Sequence, residues 1–185
     1  MVKELILSDF KRHNFSVISF KNLFSIFILH PIPGLKFLII FRLTQYYRRK
    51  NRLFFYFFFL WLRRLKVKYG LDISYRTQIG KGLYIGHFGG IVIHGDAVIG
   101  DYCNISQGIT IGVSNYGEKV GVPTLSNYVF IGPNACIFGN VIIGNHVTIG
   151  ANAVVTESIP DQKTVLSSKT ILLDKNLSPY YIHNI

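Results

Sequence analysis

Acidic side chains are scarce at the start of this chain. Residues 1–70 hold 2 Asp/Glu against 14 Lys/Arg, a net of +12, whereas residues 71–185 hold 7 against 6, a net of −1. The contrast places a boundary near Gly70. It also gives the first part an anionic membrane surface, a nucleic acid or an anionic ligand as its partner classes. Cysteine is scarce too. Cys103 and Cys136 are the only two, which excludes a disulfide framework and fits a reducing cytoplasm. No apolar run reaches membrane-spanning length. The run at 53–62 (LFFYFFFLWL) would rise about 15 Å as a helix, half of what a bilayer core needs. The N-terminus, MVKELILSDFKRHNF, carries charges where a secretory signal needs an unbroken apolar stretch, so none is expected.

What the chain does have is a period of six. Thirteen aliphatic residues form three ladders: Ile73, Ile79, Ile85; Ile93, Ile99, Ile105, Ile111; and Leu125, Ile131, Ile137, Ile143, Ile149, Val155. Glycine often follows, as at Gly80, Gly100, Gly132 and Gly144. Four residues after eleven of the thirteen stands a small or apolar side chain such as Thr77, Ala97, Cys103 or Ala135. Six is neither a helical nor a simple strand period. It is the mark of a parallel β-helix, in which a short strand plus a turn forms each side of a triangular coil. The aliphatic points inward and stacks on its counterpart about 4.8 Å away, and the small residue fills the corner. The glycine is expected to serve a tight turn through positive φ. No coil buries its face alone, so stacking is cooperative.

The chain therefore divides into a basic, aromatic α-helical segment at 1–70, a β-helix at 71–160 with a loop at 113–124, and a tail at 161–185. Helices are expected from residue 15 to residue 69, broken at HPIPG (residues 30–34). Their aromatic density requires burial. Two outcomes are open: peripheral contact of residues 35–69 with an anionic membrane, or packing on the β-helix and neighbouring subunits. Nucleic acid is not expected as a partner, because the aromatics form one block instead of alternating with basic residues.

The period slips twice. Eight residues separate Ile85 from Ile93, and fourteen separate Ile111 from Leu125, two more than two full hexads. Interruptions of a regular solenoid are where binding and chemistry sit. His87 lies in the first slip among Gly86, Gly89 and Gly90, and Asp72 precedes it by fifteen residues, close to one coil of eighteen. A carboxylate on one ring nitrogen would fix the tautomer and stabilise the imidazolium, a general-base arrangement.

The stretch LDISYRTQIGKGLYIGHFGGIVI (residues 71–93) resembles the serine acetyltransferase branch of the hexapeptide-repeat acyltransferases, and the similarity runs from about residue 31 to residue 159. The resemblance implies a left-handed β-helix, a homotrimer with sites between subunits, and acetyl-CoA as co-substrate. It implies that His87 is the general base, oriented by Asp72. Gly112, Val113, Gly132, Pro133, Gly150 and Ala151 would then contact the coenzyme. His94, Asp96 and Tyr116 are the candidate acceptor contacts.

The chain departs from that branch where an amino acid would be gripped. Gly95 stands in place of an acidic residue, and Gly121-Val122-Pro123 in place of Arg-His-Pro. SSKT at residues 167–170 replaces a pattern that closes over the cofactor, although Lys169 could still meet a phosphate. The expected acceptor is therefore a sugar hydroxyl, in surface polysaccharide biosynthesis at the inner face of the membrane. Serine O-acetylation in cysteine biosynthesis is the alternative, and a non-catalytic trimeric scaffold is the alternative of another class. His87, His94 and His146 lack the close spacing of a zinc site, so no metal is expected. His13, His30 and His183 carry no motif.

Overall fold

The structure, a computed structural model, describes residues 2–29 and 32–167. His30, Lys169 and His183 lie outside the described residues.

Helices come first. α1 (Val2–Arg12) precedes the region in which helices are expected. α2 (Phe20–Phe24), capped by Ser19, runs into a π-helical turn (Ser25–Leu29). α3 (Pro33–Tyr47) starts on its proline, whose missing N–H would have no helical partner there. α4 (Arg52–Tyr69) begins where the Asn51 side chain accepts from the Phe54 N–H at 3.1 Å, and ends at Gly70, which is left-handed at φ 61°. Among the described residues no helix is long and apolar enough to cross a membrane; α4 carries Arg63, Arg64, Lys66 and Lys68 in its last two turns.

The remainder is a parallel, left-handed β-helix. Its first coil is β1 (Leu71–Ile73), β2 (Gln78–Ile79) and β3 (Tyr84–Ile85). The second is β4 (Ile91–Ile93), β5 (Val98–Ile99) and β6 (Asn104–Ile105). The third is β7 (Thr110–Gly112), β8 (Thr124–Leu125) and β9 (Phe130–Ile131). The fourth is β10 (Cys136–Phe138), β11 (Ile142–Ile143) and β12 (Thr148–Ile149). β13 (Val154–Val155) and β14 (Thr164–Val165) continue the solenoid past residue 160. The first sheet stacks β1-β4-β7-β10-β13, the second β2-β5-β8-β11, and the third β3-β6-β9-β12-β14. The aliphatic ladder fills the interior, and the small corner residues, including Thr77, Cys103 and Ala135, are buried with it.

Two expectations are corrected. The glycines after the aliphatics do not take positive φ; the left-handed residues lie two places later, at Gly82, Tyr102, Tyr128, His146 and Asn152. Glycine is needed instead for close stacking. A Cβ on Gly100 would sit 2.6 Å from the carbonyl carbon of Ser126 in the next coil. The second slip is also larger than two residues. Ile99 pairs directly with Leu125, so β7 to β8 is one side of a coil carrying an eight-residue excursion, closed by the Ser114–Gly121 antiparallel bridge.

α3 closes the open end of the first coil. Arg42 donates to the carbonyls of Ile79 (2.6 Å) and Gly80 (2.5 Å), and Gln45 donates to those of Tyr75 (3.1 Å) and Thr77 (3.0 Å). Asp9 of α1 pairs with Arg42 at 3.0 Å, both side chains fully buried. The strand carbonyls that end a β-helix thus find side-chain donors.

Candidate active site

The three edges of the prism sort the candidate residues. One edge carries the turns that join the third sheet to the first: residues 86–90, 106–109, 132–135 and 150–153. His87, Gly132, Pro133, Gly150 and Ala151 all lie on it, one coil above another. The edge between first and second sheets carries Gly112, Val113, His94, Asp96 and Tyr116. His146 is on the third edge, where its exposed ring stacks on Tyr128 at 4.7 Å. The three histidines of the repeats thus occupy three different edges. Among the described residues no cluster of His, Cys, Asp and Glu could hold a metal.

His87 sits in the inserted turn, exposed. Gly89 and Gly90, at φ 104° and 66°, let that turn fold back onto β4. The Gly89 carbonyl accepts from the Gly108 N–H at 2.9 Å, and Phe88 packs edge-on against Tyr69 of α4 at 5.6 Å. These contacts fix the backbone that follows His87, and no described residue bonds its ring nitrogens. A free ring nitrogen on a rigid turn can take a proton from a substrate hydroxyl.

Asp72 stands on the outer face of β1, in register with Val92. Its carboxylate is 72% exposed and lies 2.7 Å from Lys66 Nζ of α4. No hydrogen bond or ion pair joins Asp72 to His87 within the protomer, so the expected dyad is not formed there. Lys66, which no motif in the sequence marks, is the partner Asp72 has.

The amides on the histidine edge are not all available. The Gly132 N–H donates to Ile149 O and the Gly150 N–H to Val165 O, each at 2.8 Å, and Pro133 has no N–H. Those three positions supply close approach, not donors. Gly112 and Val113 are one face away and belong with the excursion. On the same histidine edge stands Gln107, a residue the sequence did not single out. Its turn bonds both the His87 turn below and Asn134 above (Asn134 N to Gln107 O, 3.0 Å), and no described residue bonds its buried Oε1. The only signal for it was its place in the repeat, one coil above His87.

On the opposite edge the polar residues bond one another. Arg76 holds Asp96 at 2.9 Å, and the Asp96 N–H donates to His94 Nδ1 at 3.2 Å. β4 separates this cluster from His87, so within one protomer His94 does not share its edge. Tyr116 projects from the excursion, 93% exposed. Cys103 is no nucleophile: burial pushes its thiol up to about 11, leaving it protonated at neutral pH.

Comparison with known proteins agrees with the repeat. A family model described as bacterial transferase hexapeptide (six repeats) matches residues 123–157. A serine acetyltransferase of Synechococcus elongatus is 40% identical over 97 residues, 52% of this chain and 40% of that protein. A serine acetyltransferase of Helicobacter pylori is 33% identical over 156 residues, 84% of this chain and 89% of that protein. The crystal structure of Entamoeba histolytica serine acetyltransferase isoform 3, in complex with cysteine, superposes with a TM-score of 0.71 at 27% identity. It covers 97% of this chain and 63% of that one. The chain thus spans less than half of the Synechococcus relative but nearly all of the Helicobacter one.

These relatives overturn the sugar hydroxyl as acceptor, and polysaccharide biosynthesis with it. That expectation rested on missing charges at Gly95, Gly121 and Val122. A missing charge shows where an anchor is not, and it does not identify the acceptor. Both signs of charge stand nearby in the sequence: Asp96, which Arg76 pairs with, follows Gly95, and Glu118 and Lys119 precede Gly121.

Proposed function

Because the chain belongs to the serine acetyltransferase family of hexapeptide-repeat transferases, we propose that it transfers the acetyl group of acetyl-CoA to the hydroxyl of serine. The observation that carries this reading is the match to the Helicobacter serine acetyltransferase along 89% of that protein. The exposed imidazole on its glycine turn is the group suited to the chemistry.

In this reading acetyl-CoA lies along the histidine edge with its thioester at His87. His87 accepts the serine hydroxyl proton as the oxygen attacks the thioester carbonyl, and a tetrahedral intermediate forms. Its collapse expels the coenzyme thiolate, which takes the proton back from the imidazolium. No acyl-enzyme is formed. Asp72, once turned from Lys66, supports the imidazolium. Gly132, Pro133, Gly150 and Ala151 let the pantetheine arm approach the backbone, and Gly112 and Val113 meet it from a neighbouring subunit.

That last role requires a homotrimer. In a closed ring each subunit presents one patch to a different patch of the next. The two candidate sets lie on two edges flanking the first sheet, where Val92 and Val154 are left 42% and 68% exposed. A neighbour's Tyr116, His94 and Asp96 then come to the histidine edge as acceptor contacts. The reaction belongs in the cytoplasm, where acetyl-CoA is made.

The test is release of coenzyme thiol from acetyl-CoA by purified protein, with and without serine. Serine-dependent release is expected, and His87→Ala should lower it by about two decades or more. Absence of any serine dependence would refute the assignment.

A further inference from the structure

We infer that the outer faces of α4 and of the α2–π-helical segment form one surface that docks on a membrane containing anionic lipid. This goes beyond the transfer reaction and does not depend on it. The surface begins with an apolar stripe on α4, where Leu53, Phe57 and Leu60 are 78%, 57% and 57% exposed. A second stripe, Phe20, Phe24 and Ile28 at spacing four, is 85%, 47% and 64% exposed. Phe27 touches Trp61 at 5.6 Å, and Trp61 touches Phe57 at 6.0 Å, so the stripes adjoin. Between them runs a groove of about 510 Å³ walled by Ile18, Leu23, Phe27, Phe58 and Trp61.

Charge decides the occupant. Arg48, Arg49, Lys50 and Arg52 are exposed at one end of α4, and Arg63, Arg64 and Lys68 at the other. The sequence contains no acidic residue between Asp9 and Asp72. A second copy laid on this face would set cation against cation, whereas anionic headgroups neutralise both clusters while the aromatics enter the acyl boundary. A groove of about 830 Å³ beside Leu60, Trp61, Arg63, Arg64 and Lys68 pairs guanidinium groups with an apolar wall, the combination a phosphate head and its chain present. The helix lies in the plane of the surface and does not cross it. Its inner side is packed on α3, with Tyr47 stacked on Phe58 at 5.4 Å and Leu62 and Leu65 buried. Buried Arg42 and Lys36, and Lys66 beside Asp72, take no part.

The experiment is co-sedimentation of the full chain with phosphatidylcholine vesicles, with and without phosphatidylglycerol. Binding is expected to the mixed vesicles only and should weaken as salt is raised. Arg63→Gln with Arg64→Gln should weaken it at least about tenfold, each lost cation being worth roughly fivefold. Phe57→Ser with Leu60→Ser should abolish it while the far-ultraviolet spectrum stays that of the wild type. Wild-type protein that ignores the mixed vesicles, or binds both kinds equally, overturns the inference. So does a particle mass that halves in Phe57→Ser/Leu60→Ser, because a second copy would then occupy the face.

Discussion

Arg42→Met tests how the helical cap is held on the β-helix. Arg42 is fully buried and answers four acceptor atoms: both Asp9 carboxylate oxygens and the carbonyls of Ile79 and Gly80. Methionine fills much of the same volume and supplies no donor. Breaking a buried pair from one side strands the other charge, at a cost of about 3–5 kcal/mol. Against a total of about 5–15 kcal/mol for a domain, that is a large fraction. Trp61, the only tryptophan, reports on the cap through Phe27 and Phe57. With a urea slope of about 2 kcal/mol per molar, its fluorescence midpoint should fall by about 2 M.

The loss should also depend on pH in a particular sense. Burial pushes the Asp9 carboxyl above its ordinary 3.8, and Arg42 pulls it back. Without Arg42 the folded protein holds the Asp9 proton more tightly than the unfolded chain does. Such a group favours folding below 3.8 and loses that contribution as pH rises through the folded value. The penalty of Arg42→Met should therefore be smallest below 3.8, where only the donors to the Ile79 and Gly80 carbonyls are lost, and should grow as pH rises through the folded value. Adding Asp9→Asn should recover part of it. A penalty that is flat with pH, or a double variant no better than the single one, would show that Asp9 is not the stranded charge.

Two further outcomes follow from the stacking and from the site. Gly100→Ala should destabilise the solenoid by about 1–3 kcal/mol in urea unfolding, because the added carbon meets Ser126 backbone, which cannot turn aside; a change within about 0.5 kcal/mol would contradict the stacking argument. If Asp72 must leave Lys66 to support His87, Lys66→Met should leave turnover unchanged or raise it while Asp72→Asn lowers it. Equal losses in both variants would instead make the Lys66–Asp72 pair itself the working unit.

Much of the fold was legible because burial in a β-helix repeats. A side chain that points inward in one coil points inward in the next, so Ile79, Ile99, Leu125 and Ile143 declare one another. The role of the glycines was misread because a steric demand of the next coil, such as that of Ser126 on Gly100, has no local signature. The eight-residue excursion was misread for a related reason: only the pairing of Ile99 with Leu125 shows where the coil resumes. α1 was missed because its short apolar face is visible only once Asp9 is known to meet Arg42.

The candidate site was legible in part, and the limit is geometric. His87 could be read from the inserted turn and its glycines. Asp72 could be read as lying near one coil below it, but spacing along a solenoid gives the face and not the direction of a long-range side-chain contact. Lys66 stands six residues before Asp72 at the end of a helix, where no repeat rule applies, and it takes the carboxylate. Charge counting fails in the same way for Arg42. The sequence displays it as one of 14 cations, yet it is enclosed by Asp9 and two carbonyls and offers nothing to solvent or lipid. A cation inside an apolar helical run should be matched first to a buried carboxylate elsewhere in the chain. Only the cations left over, here Arg63 and Arg64 on the open side of α4, can be counted toward a partner.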